Sequence, residues 1–128
     1  MSFDIPRKSA YGILDLWSGL PIAYDNVNFD SNKHKEWVRV TLIDGDSFGT
    51  AIGANCVRHT GIIVIQIFTQ QWVGTGDARR YADEISNLFK GVIDIGVVYK
   101  AAKIKRVGHS GDYNQTNLSI PWQLDTTN

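Results

Sequence analysis

The apolar residues of this chain fall into two clear rhythms, and both meet in one stretch, Arg58 to Gly91. Its first half is crowded with Ile62, Ile63, Val64, Ile65, Ile67 and Phe68. These residues are β-branched or aromatic and populate both faces of a period-2 strand, which predicts a strand covered on both sides. Its second half places Ala78, Tyr81, Ala82, Ile85, Leu88 and Phe89 on one stripe with a 3.6-residue period. That stripe predicts an amphipathic helix that covers one face of the strand before it. What covers the other face is left open by the pattern.

The same reading extends to the rest of the chain. Residues 5–18 read as a helix with an imperfect stripe of Ala10, Tyr11, Ile13, Leu14, Leu16 and Trp17. Pro6 suits a first helical turn, where its missing N–H would have no partner, and Gly19 and Pro21 end the helix. Residues 21–26 form a short strand candidate and residues 27–35 a polar loop. In the strand 36–43, Trp37, Arg39, Thr41 and Ile43 point one way, while Val38, Val40 and Leu42 point into a core. The glycine-rich stretch 44–55 links it to the strand 56–70 as an antiparallel hairpin with a long, projecting loop. Thr75 is placed to cap the second helix, Asp77 to sit in its first turn and Gly91 to end it. Residues 92–99 suggest a short edge strand, 102–107 a basic strand, 108–112 a turn and 113–124 a last strand. Pro121 implies an edge or bulge in that strand, and the tail DTTN reads as loose. Helix, strands, helix, strands predicts a single α+β domain over residues 1–128. Its sheet is mostly antiparallel, with two main α-helices packed on it.

Composition narrows the function. The length of 128 residues fits one domain, and 43% hydrophobic with 20% charged residues is a globular balance. Thirteen basic and thirteen acidic residues cancel, which argues against a chain whose main task is gripping nucleic acid. Zero net charge also does little to oppose self-association. No apolar run approaches the ~20 residues of a membrane span, and MSFDIPRKSA lacks the layout of a signal peptide. Cys56 is the single cysteine, so no intrachain disulfide forms, in keeping with a reducing cytoplasm.

The candidate chemistry is thin. Gly74-Thr75-Gly76 before a helix lacks the rest of a phosphate-binding motif, so a flexible turn with a helix cap is the favoured reading. His34, His59 and His109 show no metal-ligand spacing and read as surface or strand histidines. Cys56 and His59 fall on opposite sides of a regular strand, which disfavours a nucleophile–base pair. Asp44 and Asp46 read as a solvated turn, since the remaining ligands of a calcium loop are missing. Lys100, Lys103, Lys105 and Arg106 make a modest basic cluster, read first as a solvated edge strand and second as a contact to phosphates or an acidic protein. Trp72, Phe48 and Ile52 are large apolar groups in loops, either tucked against the core or anchoring an interface. The expectation is a protein–protein role with no catalytic residue, metal or cofactor. The candidate assembly interface comprises Phe48, Ile52, Trp72, Lys103 and Lys105.

Several segments in a shared order carry a resemblance. PIAYDNVNF, EWVRVTLIDGD, RHTGIIVIQIFTQQWVGTGDARRYADEISNLFKG and the closing LSIPWQ are similar to the tail terminator proteins of long, flexible-tailed bacteriophages. The matching positions include Pro21-Ile22-Ala23-Tyr24-Asp25-Asn26, Val38-Arg39-Val40, Arg58-His59, Gly61-Ile62, Gly74-Thr75-Gly76, Ala82-Asp83 and Leu88-Phe89, and they span roughly residues 8–124. The resemblance implies a structural protein without catalysis. It implies a hexameric ring on the end of the tail tube that stops polymerisation and offers the surface for head joining. The implied partners are further copies of the chain, the tail tube protein and a head–tail connector protein. Genome DNA would pass through the lumen without specific binding, and no membrane is involved. The implied location is the virion, at the head–tail junction, after assembly in the host cytoplasm.

Three alternatives stay open at this level. One is another neck or connector protein of the same fold. Another is a small enzyme or ligand-binding module with a pocket around Thr75, Asp77 and His59. The last is a nucleic-acid module using Lys100 to Arg106, whose affinity would fall steeply with salt.

Overall fold

Val38, Val40 and Leu42 alternate with polar or exposed neighbours, and this alternation sets which side of the sheet becomes the core. The computed structural model describes residues 4–24, 36–49, 56–70, 76–110 and 113–127. In chain order they form α1 (Ile5–Leu14), β1 (Ile22–Tyr24), β2 (Trp37–Gly49), β3 (Cys56–Gln70), α2 (Gly76–Phe89), β4 (Ile93–Asp94), β5 (Val97–Tyr99), β6 (Lys103–Ser110) and β7 (Tyr113–Thr127). The strands make one seven-stranded sheet in the order β1-β2-β3-β7-β5-β4, with β6 also on β7. β1 runs parallel to β2, and the other pairings are antiparallel. The α+β architecture with a mostly antiparallel sheet is the one read from the sequence.

Both helices lie on the same side of the sheet. Ala10, Ile13 and Leu14 of α1 and Ala78, Ala82, Ile85 and Phe89 of α2 join one core with Val38, Val40, Ile63, Ile65, Ile67, Leu118, Ile120, Trp122 and Leu124. The buried stripe of α2 is the one its sequence spacing predicts, with Tyr81 and Leu88 half-buried at its margin. Burying a side chain such as Ile85, fully inaccessible here, stabilises the fold by roughly 1.5–3 kcal/mol. Pro6 sits in the first turn of α1, and Arg7 Nη2 donates to Asp4 Oδ2 at 2.8 Å ahead of it. Ser9 ties α1 to the β4–β5 hairpin, where its hydroxyl donates to Asp94 Oδ2 at 2.8 Å and also contacts the Tyr99 hydroxyl.

Several placements differ from expectation, beginning with α1, which ends at Leu14 rather than running to residue 18. β2 continues to Gly49 rather than ending at Ile43, because Ser47, Phe48 and Gly49 re-enter register with β3 after a bulge at Gly45 and Asp46. β6 runs on through Ser110, so part of the expected turn is strand. β7 extends to Thr127, and the tail read as loose is paired with Cys56 and Val57 instead. Pro121 lies in a central strand opposite Ile62, not at an edge. Its carbonyl accepts from Lys100 N at 2.8 Å, so its nitrogen faces the same side. That side is the gap where β5 has ended and β6 has not begun, and the missing N–H costs no ladder bond there.

Candidate assembly surface

The side of the sheet away from the helices carries no helix among the described residues. Strand register places its side chains in rows. Arg39, Gln66, Asn117 and Lys105 form one row across β2, β3, β7 and β6. Thr41, Val64, Ser119 and Lys103 form the next, followed by Ile43, Ile62 and Pro121. Phe48, Arg58 and Asp125 form a row near the far end. Ile43 and Ile62 are 49% and 41% exposed, unusual for isoleucines in the middle of a sheet.

One end of this open side closes on itself. Trp37 stacks on Phe68 with ring centroids 4.2 Å apart, Tyr113 meets both edge-on, and Ala23 completes the cluster. The Arg39 guanidinium, itself exposed, lies 5.1 Å from the Trp37 ring centroid, a cation–π arrangement over the sheet. At the other end, Arg58 donates to both Asp125 oxygens, at 2.9 and 3.1 Å. The guanidinium holds the Asp125 carboxyl below the usual carboxylate range, and the carboxylate pushes Arg58 up in turn. With that pair matched, Arg39, Lys103 and Lys105 leave the open side positive.

The helix side of the same end is stitched by a histidine. His59 is buried between β2 and β7, with Nδ1 2.7 Å from Ser47 Oγ and Nε2 3.2 Å from Thr126 Oγ1. Beside it a cavity of about 140 Å³ is lined by Asp44, Ser47, His59, Thr60 and Trp122. The first half of α2 lies elsewhere. Tyr81 donates to Glu36, which also accepts from Gln70 N at the other end of β3. At roughly 3.3 Å per residue, His59 and Gln70 are more than about 30 Å apart, so His59 and Asp77 do not share a pocket. Among the described residues, no three His, Cys, Asp or Glu side chains gather as metal ligands.

The five residues singled out in the sequence are not one cluster. Phe48 is 50% exposed near the end of β2. Lys103 and Lys105 are exposed on β6, across the sheet. Ile52 and Trp72 lie outside the described residues, as do His34 and Thr75. Sequence reasoning missed Gln66, Asn117 and Ser119, whose place on the open side depends on cross-strand register. The alternation that assigned Arg39, Thr41 and Ile43 to one face was the available signal.

A family model described as phage tail terminator protein matches residues 8–122. A solved structure with 15% sequence identity superposes with a TM-score of 0.70, covering 96% of this chain and 95% of that chain. At that identity the likeness concerns the fold. No curated protein matches the chain.

Proposed function

Because the chain belongs to the phage tail terminator family, we propose that it forms a ring, hexameric in the simplest case, on the end of the completed tail tube. There it stops tube polymerisation and presents the surface to which the head joins. The observation that carries this reading is the open side of the sheet. A seven-stranded sheet with helices on one side only, and with Ile43 and Ile62 exposed on the other, suits a wall of a larger assembly. Its second face then looks onto a lumen or a neighbour.

Arg39, Lys103 and Lys105 give that face a positive character without any base-reading arrangement. Passing DNA would be met by sequence-blind charge alone, in keeping with zero net charge over the chain. The implied partners are further copies of the chain, the tail tube protein and a head–tail connector protein. The role is structural, and the chain acts as a virion component assembled in the host cell. No step requires a catalytic residue or cofactor.

A direct test adds the purified chain to tail tube protein during polymerisation and measures tube lengths by electron microscopy. The expected result is short tubes with an extra ring at one end. Tubes that grow to the same length with and without the chain, and carry no added ring, overturn the proposal.

A further inference from the structure

On the helix side, the two-helix layer stops short of β6. α2 lies over β3 and β7, and β6 is the next strand out from β7. Between the flank of α2 and β6 runs a groove made of two adjoining hollows, about 360 and 210 Å³, that share Ser86 and Ala102. Every residue that lines it is among those described. Its floor is apolar, with Phe89, Leu118 and Ile120 of the core at its base. Ile104 lines the outer wall and is 42% exposed. Ile104 pairs with Leu118 and so faces the helix side. Its exposure marks sheet surface that a helix could cover and that neither helix of the chain does. α2 borders the groove from Arg79 to Lys90, a length of roughly 16 Å at about 1.5 Å per residue.

The rim of the groove is positive at both ends. Lys90 of α2 and Lys100 of the β5–β6 link flank the hollow beside Phe89. Arg79 flanks the hollow beside Leu118. Arg106 pairs with Thr116, two residues past Ile104, and so lies on the same helix side. All four cations are exposed, and none forms a salt bridge among the described residues. Asp83 is the one acidic residue that lines the groove, and it sits between the two ends. Four cations against one carboxylate, around an apolar floor, suit an occupant that is apolar along one side and acidic at its margins.

From this we propose that the groove docks an amphipathic α-helix with acidic flanks, carried by a different polypeptide. Packed helices lie about 8–10 Å apart, so a helix laid beside α2 would sit over β6 and cover Ile104. Its apolar groups at i, i+3, i+4 and i+7 would rest on the floor, the usual way a helix fills a groove. Carboxylates toward its two ends would meet Lys90 with Lys100 and Arg79 with Arg106. A second copy of the chain offers no such helix among the described residues. α1 exposes Arg7 and Lys8, α2 exposes Arg79 and Arg80, and both bury their apolar stripes in the core. Nucleic acid would match the cations but would set charged phosphates against the apolar floor, which favours a peptide. The groove is complete within one chain, on the side of the sheet opposite the face that carries the ring reading. It adds a second contact surface and holds whether or not a ring forms.

The test titrates the full-length chain with a synthetic peptide of about fourteen residues, with leucines at i, i+3, i+4 and i+7 and glutamates at its ends and outer face. A peptide this short is mostly unfolded alone, so docking should raise its helicity in circular dichroism. Amide chemical shifts should move at residues 79–90 and 100–106. One control peptide carries lysines in place of the glutamates, another serines in place of the leucines, and a short DNA duplex stands for the competing class of ligand. Lys90→Glu with Lys100→Glu should weaken binding of the glutamate peptide about tenfold at physiological salt. Lys103→Glu with Lys105→Glu makes the same charge change on the open side. It should leave binding within about twofold, because screening cuts off exposed charges beyond about 8 Å. Circular dichroism of each variant checks the fold. The proposal is overturned if the glutamate peptide shows no saturable binding, or if either control peptide binds as tightly. Shifts confined to residues outside the groove, an open-side pair as damaging as the groove pair, or displacement of the peptide by the duplex overturn it as well. Binding is read on the isolated chain, so its outcome is separate from that of the tail-tube experiment.

Discussion

Gly61 is the position where one methyl group should do the most damage. A Cβ added there would lie 2.3 Å from Trp122 Cζ2, 2.5 Å from Trp122 Cε2 and 2.5 Å from the Ile43 carbonyl oxygen. Ordinary contacts between carbons are about 3.5–4.0 Å, so the ring would have to move by more than an ångström. Trp122 is 3% exposed and wedged in the core, and the carbonyl belongs to the neighbouring strand. Neither yields freely. Gly61→Ala should therefore cost about 1–3 kcal/mol, the range for overpacking a tight interior. For a domain of this size that corresponds to a fall in Tm of about 4–12 °C. Urea unfolding followed by tryptophan fluorescence measures the loss, and a red-shifted native spectrum would report the displaced indole. A cycle with Trp122→Phe adds a check. The smaller ring removes part of the clash, so Gly61→Ala should cost less in that background, with a coupling of at least about 0.5 kcal/mol. A Gly61→Ala protein within about 0.5 kcal/mol of wild type, with an unshifted spectrum, would refute the packing argument. Gly61 pairs with both Asp44 and Trp122, so the perturbation falls where β2, β3 and β7 run on together toward Phe48.

Four further outcomes follow from the same structure. Ile95 has φ of 43° in the β4–β5 turn, a conformation that disfavours a β-branched side chain, so Ile95→Asn should stabilise the protein by about 1 kcal/mol in thermal unfolding. Ile85→Ala, at a fully buried position of α2, should cost about 2–5 kcal/mol by the same method. Burial pushes the Tyr99 phenol up to about 12, against about 10 for a free tyrosine. The folded state keeps a proton that the unfolded state loses, so this contribution is full below about pH 10 and disappears as pH rises toward 12. Tyrosinate absorbance during alkaline unfolding should show it, and Tyr99→Phe should flatten that pH dependence. Phe48→Ser, at a half-exposed site, should leave stability within about 0.5 kcal/mol and weaken self-association in sedimentation experiments.

Elements with a strong period were legible in the sequence. β3 and the buried stripe of α2 fall where the apolar rhythm puts them, but only one face of β3 is covered: Ile63, Ile65 and Ile67 join the core, while Ile62 on the other face stays 41% exposed instead of being covered as expected. The order of helices and strands was enough to give α+β. What escaped was set by partners distant in sequence. β2 runs past Ile43 because β3 offers a register that resumes at His59 after the bulge. Thr126 and Thr127 are ordered because β3 pairs with them. Pro121 signals an edge by its own chemistry, yet it sits at a gap between two neighbours of β7 that local reasoning cannot see. The candidate assembly surface was partly legible in the same way. Phe48, Lys103 and Lys105 were recognisable as exposed chemistry. That they occupy opposite edges, with acidic residues on one and basic residues on the other, depends on strand order.

The measurement closest to the central claim is tail length in a phage from which this gene has been deleted, scored by electron microscopy of lysates. The account predicts overlong tails without heads, with normal length and head attachment restored when the wild-type chain is supplied in trans. Tails of normal length joined to heads in the deletion strain would contradict it.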